Sequence, residues 1–462
     1  MNFLNRLVYP EPAERLELLR ILLVIVTIIF VTYASIALIA STASAIANRI
    51  SRKKGDNLFA RFAHDLADLA APSRGTILAV GVIPIITEVL IYAQLLQGVS
   101  VGVTTYLTIS TVFFFFGFYF LYTYKKSWHL ETIYTTFQDL ASSHGGTLTR
   151  EVTSDVASFE RSASATKRRG GHRSAILLWI GTWIFVGTMR LAFSPRHWAH
   201  STFLSVLFSG ATIWSLFTYA VTAAAITSAA AVFFFFKWAD RISMMAEPSY
   251  RAFVKRYALP VGVAAAALEP LLIFFEIQNV PEAGVTNLTF VLAAVGIFIA
   301  LLVMLLFYSM MKESGINLGG YAFIGAIFLI FAWAAKNEIA FHHATENQDQ
   351  VLATRYETML ASLAPPKPPP AMSGKEVYDN ICSACHMFNA KKVGPPYFMT
   401  LPHFVDHMDS LENFISNPYV AVPGYPPMPK QPLKPQEVKN VAQYIMSVYL
   451  AAKKAGKAQY TQ

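Results

Sequence analysis

The chain has 462 residues, 54% of them hydrophobic and only 14% charged, with 37 Lys+Arg against 28 Asp+Glu for a formal net charge of +9. A soluble domain carries about 25% charged residues, and here the apolar residues also gather in nearly uncharged runs of about 20 or more, the length that crosses ~30 Å of hydrocarbon. This excludes a soluble globular protein, and a total of 2 cysteines excludes a disulfide framework. The chain reads as all-α, a polytopic membrane helix bundle followed by a small soluble domain.

Eight runs qualify as spans, over 19–47, 76–97, 102–124, 174–194, 203–237, 258–279, 285–311 and 318–336. The first is too long for a cleavable signal peptide and lacks a convincing small-residue cleavage site. The membrane domain is therefore expected over 1–336. Residues 337–371 turn polar and then proline-rich, with Ala364-Pro365-Pro366-Lys367-Pro368-Pro369-Pro370. They read as a linker, ending in a semi-rigid polyproline spacer of about 19 Å at ~3.1 Å per residue. Residues 372–462 read as the soluble domain.

Charge along the chain gives sidedness. The connections 48–75, 125–173, 237–257 and 312–317 contain 6, 8, 5 and 1 Lys+Arg, whereas the three short connections on the opposite side contain only Arg196. By the positive-inside rule the four basic connections lie inside and both termini of the bundle outside. Most of the net positive charge is thus topology, not a nucleic-acid patch. The connection 125–173 is expected as a short amphipathic helix plus a flexible run.

Both cysteines fall in Cys382-Ser383-Ala384-Cys385-His386. Two thiols three residues apart on one helical turn reach both vinyl groups of a porphyrin, and the adjacent histidine then lies under the iron, so the spacing reads as a c-type haem attachment site. A zinc site would need two more ligands at matching spacing, and a thioredoxin-like site a βαβ context. Neither is present. Covalent haem attachment takes place outside the cytoplasmic membrane, which places the domain outside independently of the charge count.

The residues around this motif resemble a class I cytochrome c over the whole of the soluble domain. Gly374 and Tyr378 precede the motif on an N-terminal helix, Gly394-Pro395-Pro396 follows it, and 435–451 reads as a closing helix. The resemblance implies one covalent haem c held through Cys382, Cys385 and His386, with the Gly-Pro carbonyl at Pro395 orienting the proximal His386. Met428, before Pro429 and 42 positions after His386, matches the family's Met-Pro loop as sixth ligand. A thioether there raises the potential relative to a second histidine. Met399, Met408, His403 and His407 are the rivals.

In the membrane half none of the eleven histidines falls clearly within a span, so haem b is not supported by intramembrane ligands. His64, His144 and His172 lie in inner connections and His129 at an inner boundary. His197, His200, His342 and His343 lie at the outer face, either as ligands of a haem near that surface or as interfacial residues beside Trp198 and Phe341. Glu88, Arg190 and Glu269 sit inside spans, with Glu276 towards an outer end. Charge in hydrocarbon is costly and normally faces a partner or a water path. These residues therefore read either as a proton path or quinol site, or as buried carboxyls with Arg190 pairing one of them. The Ala- and Ser-rich spans 1 and 5 suit close helix packing, and the tracts Phe113–Phe116 and Phe233–Phe236 read as lipid- or partner-facing.

The first 100 residues resemble subunit I-like proteins of the cytochrome bd oxidase superfamily, especially members with a fused cytochrome c domain. The likeness lies in Arg15-Leu16-Glu17-Leu18-Leu19-Arg20, Gly55-Asp56-Asn57-Leu58 through Ala63-His64-Asp65-Leu66, and Gly81 to Tyr92-Ala93-Gln94-Leu95-Leu96. Span 1 lacks the family's ligand histidine and no Gly-Arg-Gln-Pro-Trp motif occurs, so the likeness implies a companion subunit, not the oxygen-reducing one.

The sequence thus points to a membrane-anchored mono-haem c electron-transfer subunit of a respiratory oxidoreductase complex in a bacterial cytoplasmic membrane. Its expected partners are other membrane subunits and a soluble cytochrome or haem-bearing protein on the outer face, with quinol as a further candidate. The alternatives are a stand-alone membrane enzyme that oxidises a quinol or small substrate and reduces its own fused cytochrome c, and a haem-bearing sensor or transporter.

Overall fold

The structure, a computed structural model, describes residues 11–99, 102–143, 150–198, 200–238, 248–280, 284–312, 318–363 and 370–459. Two compact units divide the chain, residues 1–363 and 364–462.

In the first unit the described residues contain eight helices long and apolar enough to cross a membrane. They are α1 (Ala13–Lys54), α3 (Arg74–Leu95), α4 (Val103–Ser143), α5 (Arg150–Ala192), α6 (Gly210–Phe233), α7 (Pro248–Gln278), α8 (Asn287–Lys312) and α9 (Gly319–Ala344). Local chemistry sets their ends. Helix α1 starts after Pro12, carries Glu14 in its first turn and Arg52, Lys53 and Lys54 in its last, and stops at Gly55, whose φ of 68° makes a left-handed cap. Between α1 and α3 lies α2 (Asn57–Ala70), capped by the Asp56 side chain. Its apolar face is packed inside the unit rather than laid on lipid. Ser44 donates to the carbonyl of Ala63, Tyr33 to that of Ala70, and Tyr250 to Asp65.

Small residues line the meeting of α1 and α6 as their composition implies: Ala34, Ala37, Ser41, Ala223, Ala229 and Ala230 are fully buried. Gly81 lies in a π-helical turn of α3, where an added Cβ would come within 2.8 Å of the Tyr33 ring.

Four expectations are corrected. The connection 125–173 is mostly helix: α4 runs on to Ser143 and α5 begins at Arg150, because charged residues outside a membrane do not break a helix that lacks Pro and has few glycines. The last span continues beyond 336 to Ala344, and residues Glu346–Leu363 form a further helix, α10. The linker expected over 337–371 is therefore helical through 363. Of its proline run over 364–370, all but Pro370 lies outside the described residues. Span 5 is interrupted at Phe208–Ser209, between a short helix Phe203–Leu207 and α6. Finally, only part of each Phe tract faces out. Phe115 and Phe116 are exposed, but Phe114 packs on Phe30 and Phe185, and Phe235 is buried.

The second unit is built on α11 (Gly374–Asn380), α12 (Met408–Ser416) and α13 (Pro435–Lys454). Ser373 and Glu376 close a reciprocal capping box at α11. Val377, Leu401, Leu411, Val441, Ile445 and Tyr449 form its core. Helices α11 and α13 cross at Gly374, where a Cβ would lie 2.1 Å from the Asn440 carbonyl oxygen. No side chain larger than hydrogen fits there.

Candidate functional site

The cysteine motif follows α11 directly. Residues Cys382–Ala384 make one 3₁₀ turn, closed by the Cys385 amide donating to the Cys382 carbonyl at 3.2 Å, and the His386 amide donates to the same carbonyl at 2.9 Å. The chain then returns under the motif, and the Gly394 amide donates to the Cys385 carbonyl at 2.8 Å. Gly394 is forced by this return: a Cβ there would meet the His386 ring at 2.3 Å.

His386 Nδ1 lies 3.0 Å from the Pro395 carbonyl oxygen. A carbonyl only accepts, so Nδ1 carries the proton and Nε2 keeps its lone pair, the tautomer a metal ligand needs. Tyr397 stacks on the imidazole at 5.0 Å and 14°, fixing the ring plane. Cys382 and Cys385 form no disulfide with each other. Burial pushes the Cys382 thiol up, against a hydrogen bond from Tyr397, and burial likewise raises Tyr397 well above the usual phenol range.

His386, Cys382 and Pro395 open into a cavity of about 860 Å³ walled by Leu401, Phe404, Phe414, Ile415 and Val441, with Met428 also in its lining. An apolar slot with few polar groups is the usual form of a cofactor site. These residues fit a haem: thiols for covalent attachment, a histidine of fixed tautomer, a second soft ligand, and an apolar enclosure. Of the rival ligands, His403, His407 and Met399 are exposed and Met408 packs in the core; none lines the cavity.

In the membrane unit the structure separates the sequence candidates. Glu88 is fully buried in α3, and neither carboxyl oxygen has a hydrogen-bond partner. Arg190 pairs with neither Glu88 nor Glu269; it donates to Ser215 Oγ at 2.9 Å and to the Asn279 carbonyl at 3.2 Å. Glu269, next to Pro270 in α7, is 2% exposed and its Oε1 has no partner. His197 and His200 are exposed, while His342 faces Asp349 at 3.4 Å and His343 faces Glu346 at 4.0 Å. No histidine is buried in the bundle among the described residues. At the opposite end His64 and His129 flank Asp68, to which Lys125 also pairs at 3.4 Å, so this group already holds its own counter-charge.

Two buried cations escaped the sequence reading. Lys336 is 2% exposed and donates to Glu276 at 2.7 Å, with Trp333 Nε1 a second donor at 3.3 Å. Arg20, 6% exposed, is shared by Glu338 at 2.9 Å and Asp349 at 2.8 Å, and also donates to Thr345. For the first of them the signal was present in the spacing. Trp333, Lys336 and Asn337 recur at i, i+3 and i+4, and Glu269 and Glu276 at i and i+7, which places each set on one helix face. A hydropathy reading hides them by closing the span at its first charge.

A cytochrome c family model matches residues 371–449. Cytochrome c-552 of Hydrogenobacter thermophilus is 39% identical over 70 residues, which are 14% of this chain and 71% of that protein. No solved structure matches the chain. Both matches fall in the second unit and bear on nothing in the bundle.

Proposed function

By its C-terminal domain this chain belongs to the cytochrome c family, and on that premise we propose that it is a membrane-anchored mono-haem c carrier, an electron-transfer subunit of a respiratory oxidoreductase complex. The single observation that carries the reading is His386, held by the Pro395 carbonyl with Nε2 free beside Cys382 in an apolar cavity. When bound, the haem supplies one-electron redox chemistry.

The chain's own residues supply the rest. Cys382 and Cys385 would tether the group, His386 and Met428 would be its protein ligands, and Phe404, Phe414 and Ile415 would keep water from it. Apolar enclosure and a thioether favour a high potential. With two protein ligands the group would supply electron transfer, without a place for substrate at the iron.

The eight-span bundle anchors the carrier. The positive-inside bias and the extracytoplasmic chemistry of haem attachment support a bacterial cytoplasmic membrane with the haem domain on the outer side. Other membrane subunits and a soluble cytochrome or haem-bearing protein are the partners of this reading. The superfamily likeness of the first 100 residues is consistent with a companion subunit, in which the haem c is the chain's own redox group.

Carbon monoxide tests the carrier reading. The reduced full-length protein is expected to show an unchanged spectrum on exposure to the gas and to reduce added oxidised soluble cytochrome c. An immediate carbon monoxide-shifted spectrum would reveal an open axial position and overturn the carrier assignment.

A further inference from the structure

At the end of the bundle that the positive-inside bias assigns to the inside, α3, α4 and α5 leave a groove between them. Its apolar stretch is walled by Leu78 and Val82 of α3 and by Phe115, Phe118 and Tyr119 of α4. Leu78 and Val82 belong to the π-helical turn of α3, a rare conformation that recurs at functional sites. Beyond the aromatic rings the lining turns basic, with Lys126 on α4 and Arg74 at the start of α3.

The two adjacent lysines of α4 part company here. Lys125 is consumed by the protein: it donates to the carbonyls of Ala71 and Pro72, each at 2.8 Å, and faces Asp68 at 3.4 Å. Lys126 is exposed and, like Arg74, makes no ion pair among the described residues. The Arg74 guanidinium lies over the Tyr122 ring at 4.9 Å, which places it beside α4 and leaves its donors for oxygen. No carboxylate lines the groove, and Asp68 and Glu131 are held by Lys125 and Lys167. Snorkelling accounts for a cation at a membrane rim. It does not account for two unpaired cations at the mouth of one apolar slot.

Depth identifies what fits. From Phe115 to Lys126 α4 rises about 16 Å at ~1.5 Å per residue, and one leaflet supplies half of the ~30 Å of hydrocarbon. The cations therefore stand one acyl-chain depth from Phe115. Arginine takes a phosphate through two parallel hydrogen bonds, and basic pockets between spans on the cytoplasmic side suit acidic head groups. A zwitterionic lipid would bring its own ammonium to compete with Arg74 and Lys126.

We propose that this groove binds an anionic phospholipid of the inner leaflet, with its phosphodiester on Arg74 and Lys126 and an acyl chain along Leu78, Phe115 and Tyr119. The inference goes beyond the carrier reading and does not rest on it.

Native mass spectrometry of the delipidated full-length protein in detergent tests it, by titration with phosphatidylglycerol or with phosphatidylethanolamine of the same chains. A first phosphatidylglycerol adduct is expected to saturate at least tenfold more tightly than its phosphatidylethanolamine counterpart. That preference should be lost in Arg74→Gln/Lys126→Gln and kept in Lys53→Gln/Lys54→Gln, which removes two exposed cations from the end of α1. Leu78→Trp fills the apolar wall while keeping both cations, and should weaken phosphatidylglycerol at least tenfold. Equal affinity for the two lipids, or an equal loss in K53Q/K54Q, overturns the proposal by reducing the cations to ordinary snorkelling. Unchanged phosphatidylglycerol binding in R74Q/K126Q or in L78W overturns it as well. So does displacement of the lipid by inorganic phosphate at equal concentration, which would make the two cations a site for the free anion.

Discussion

Replacing Arg20 by Met is expected to release helix α10 from the bundle. Arg20 projects from α1 with one guanidinium nitrogen 2.9 Å from Glu338 and the other 2.8 Å from both Asp349 oxygens and 2.9 Å from Thr345 Oγ. Its guanidinium also lies 5.0 Å from the centre of the Phe341 ring. Asp349 belongs to α10, which is otherwise held by buried Leu352, by Gln348 and Arg355 donating to the Gln97 carbonyl, and by His342 of α9 at 3.4 Å from Asp349. Methionine retains packing on Phe341 but leaves two carboxylates facing each other without their cation. Removing one partner of a buried pair costs about 3–5 kcal/mol. At ~1.4 kcal/mol per tenfold, the docking equilibrium of α10 falls by about a hundred- to a few-thousand-fold. Limited trypsinolysis at Arg355, with the fragment identified by mass, reads the open population. Cleavage should accelerate strongly in R20M and return most of the way in R20M/E338Q/D349N, where the repulsion is removed as well. Parent-like cleavage in R20M, or no recovery in the triple variant, would refute the reasoning.

Three further outcomes follow from the second unit. Gly374→Ala drives a methyl into the Asn440 carbonyl at 2.1 Å; overpacking of this kind costs ~1–3 kcal/mol, so the haem domain should melt several degrees lower, and an unchanged midpoint would contradict the helix crossing. Met428→Ala should make the reduced protein bind carbon monoxide without altering covalent attachment; a variant that stays unreactive removes Met428 from the axial position. In the haem-free full-length chain carrying C385A, burial holds Cys382 in its thiol form, so alkylation should become half-maximal only above the ordinary thiol value of about 8.5. Half-maximal labelling at or below that pH would refute the burial of the sulfur.

The architecture was legible because membrane spans announce themselves by length alone and c-type attachment by five consecutive residues. Hydropathy located all eight spans, and Cys382 to His386 located the cavity. Sequence reading went astray where helix and membrane boundaries part company. Helices α4 and α5 continue well past their apolar segments, and α9 carries Lys336 and Glu338 inside the protein because Glu276 and Arg20 reach them from other helices. Those pairings link residues 60 and 318 positions apart, a separation no local window covers. The His386 tautomer was likewise beyond sequence, since it depends on the return of the chain that brings the Pro395 carbonyl to Nδ1.

The most direct test of the central claim is a pyridine haemochrome spectrum of the purified full-length protein, read beside haem-dependent peroxidase staining of a denaturing gel. One haem c per chain, retained on the denatured 462-residue polypeptide and lost in Cys382→Ala/Cys385→Ala, is the predicted result. Haem that extracts into acidified organic solvent, or a stoichiometric haem b in the isolated chain, would contradict it and move the redox chemistry into the bundle.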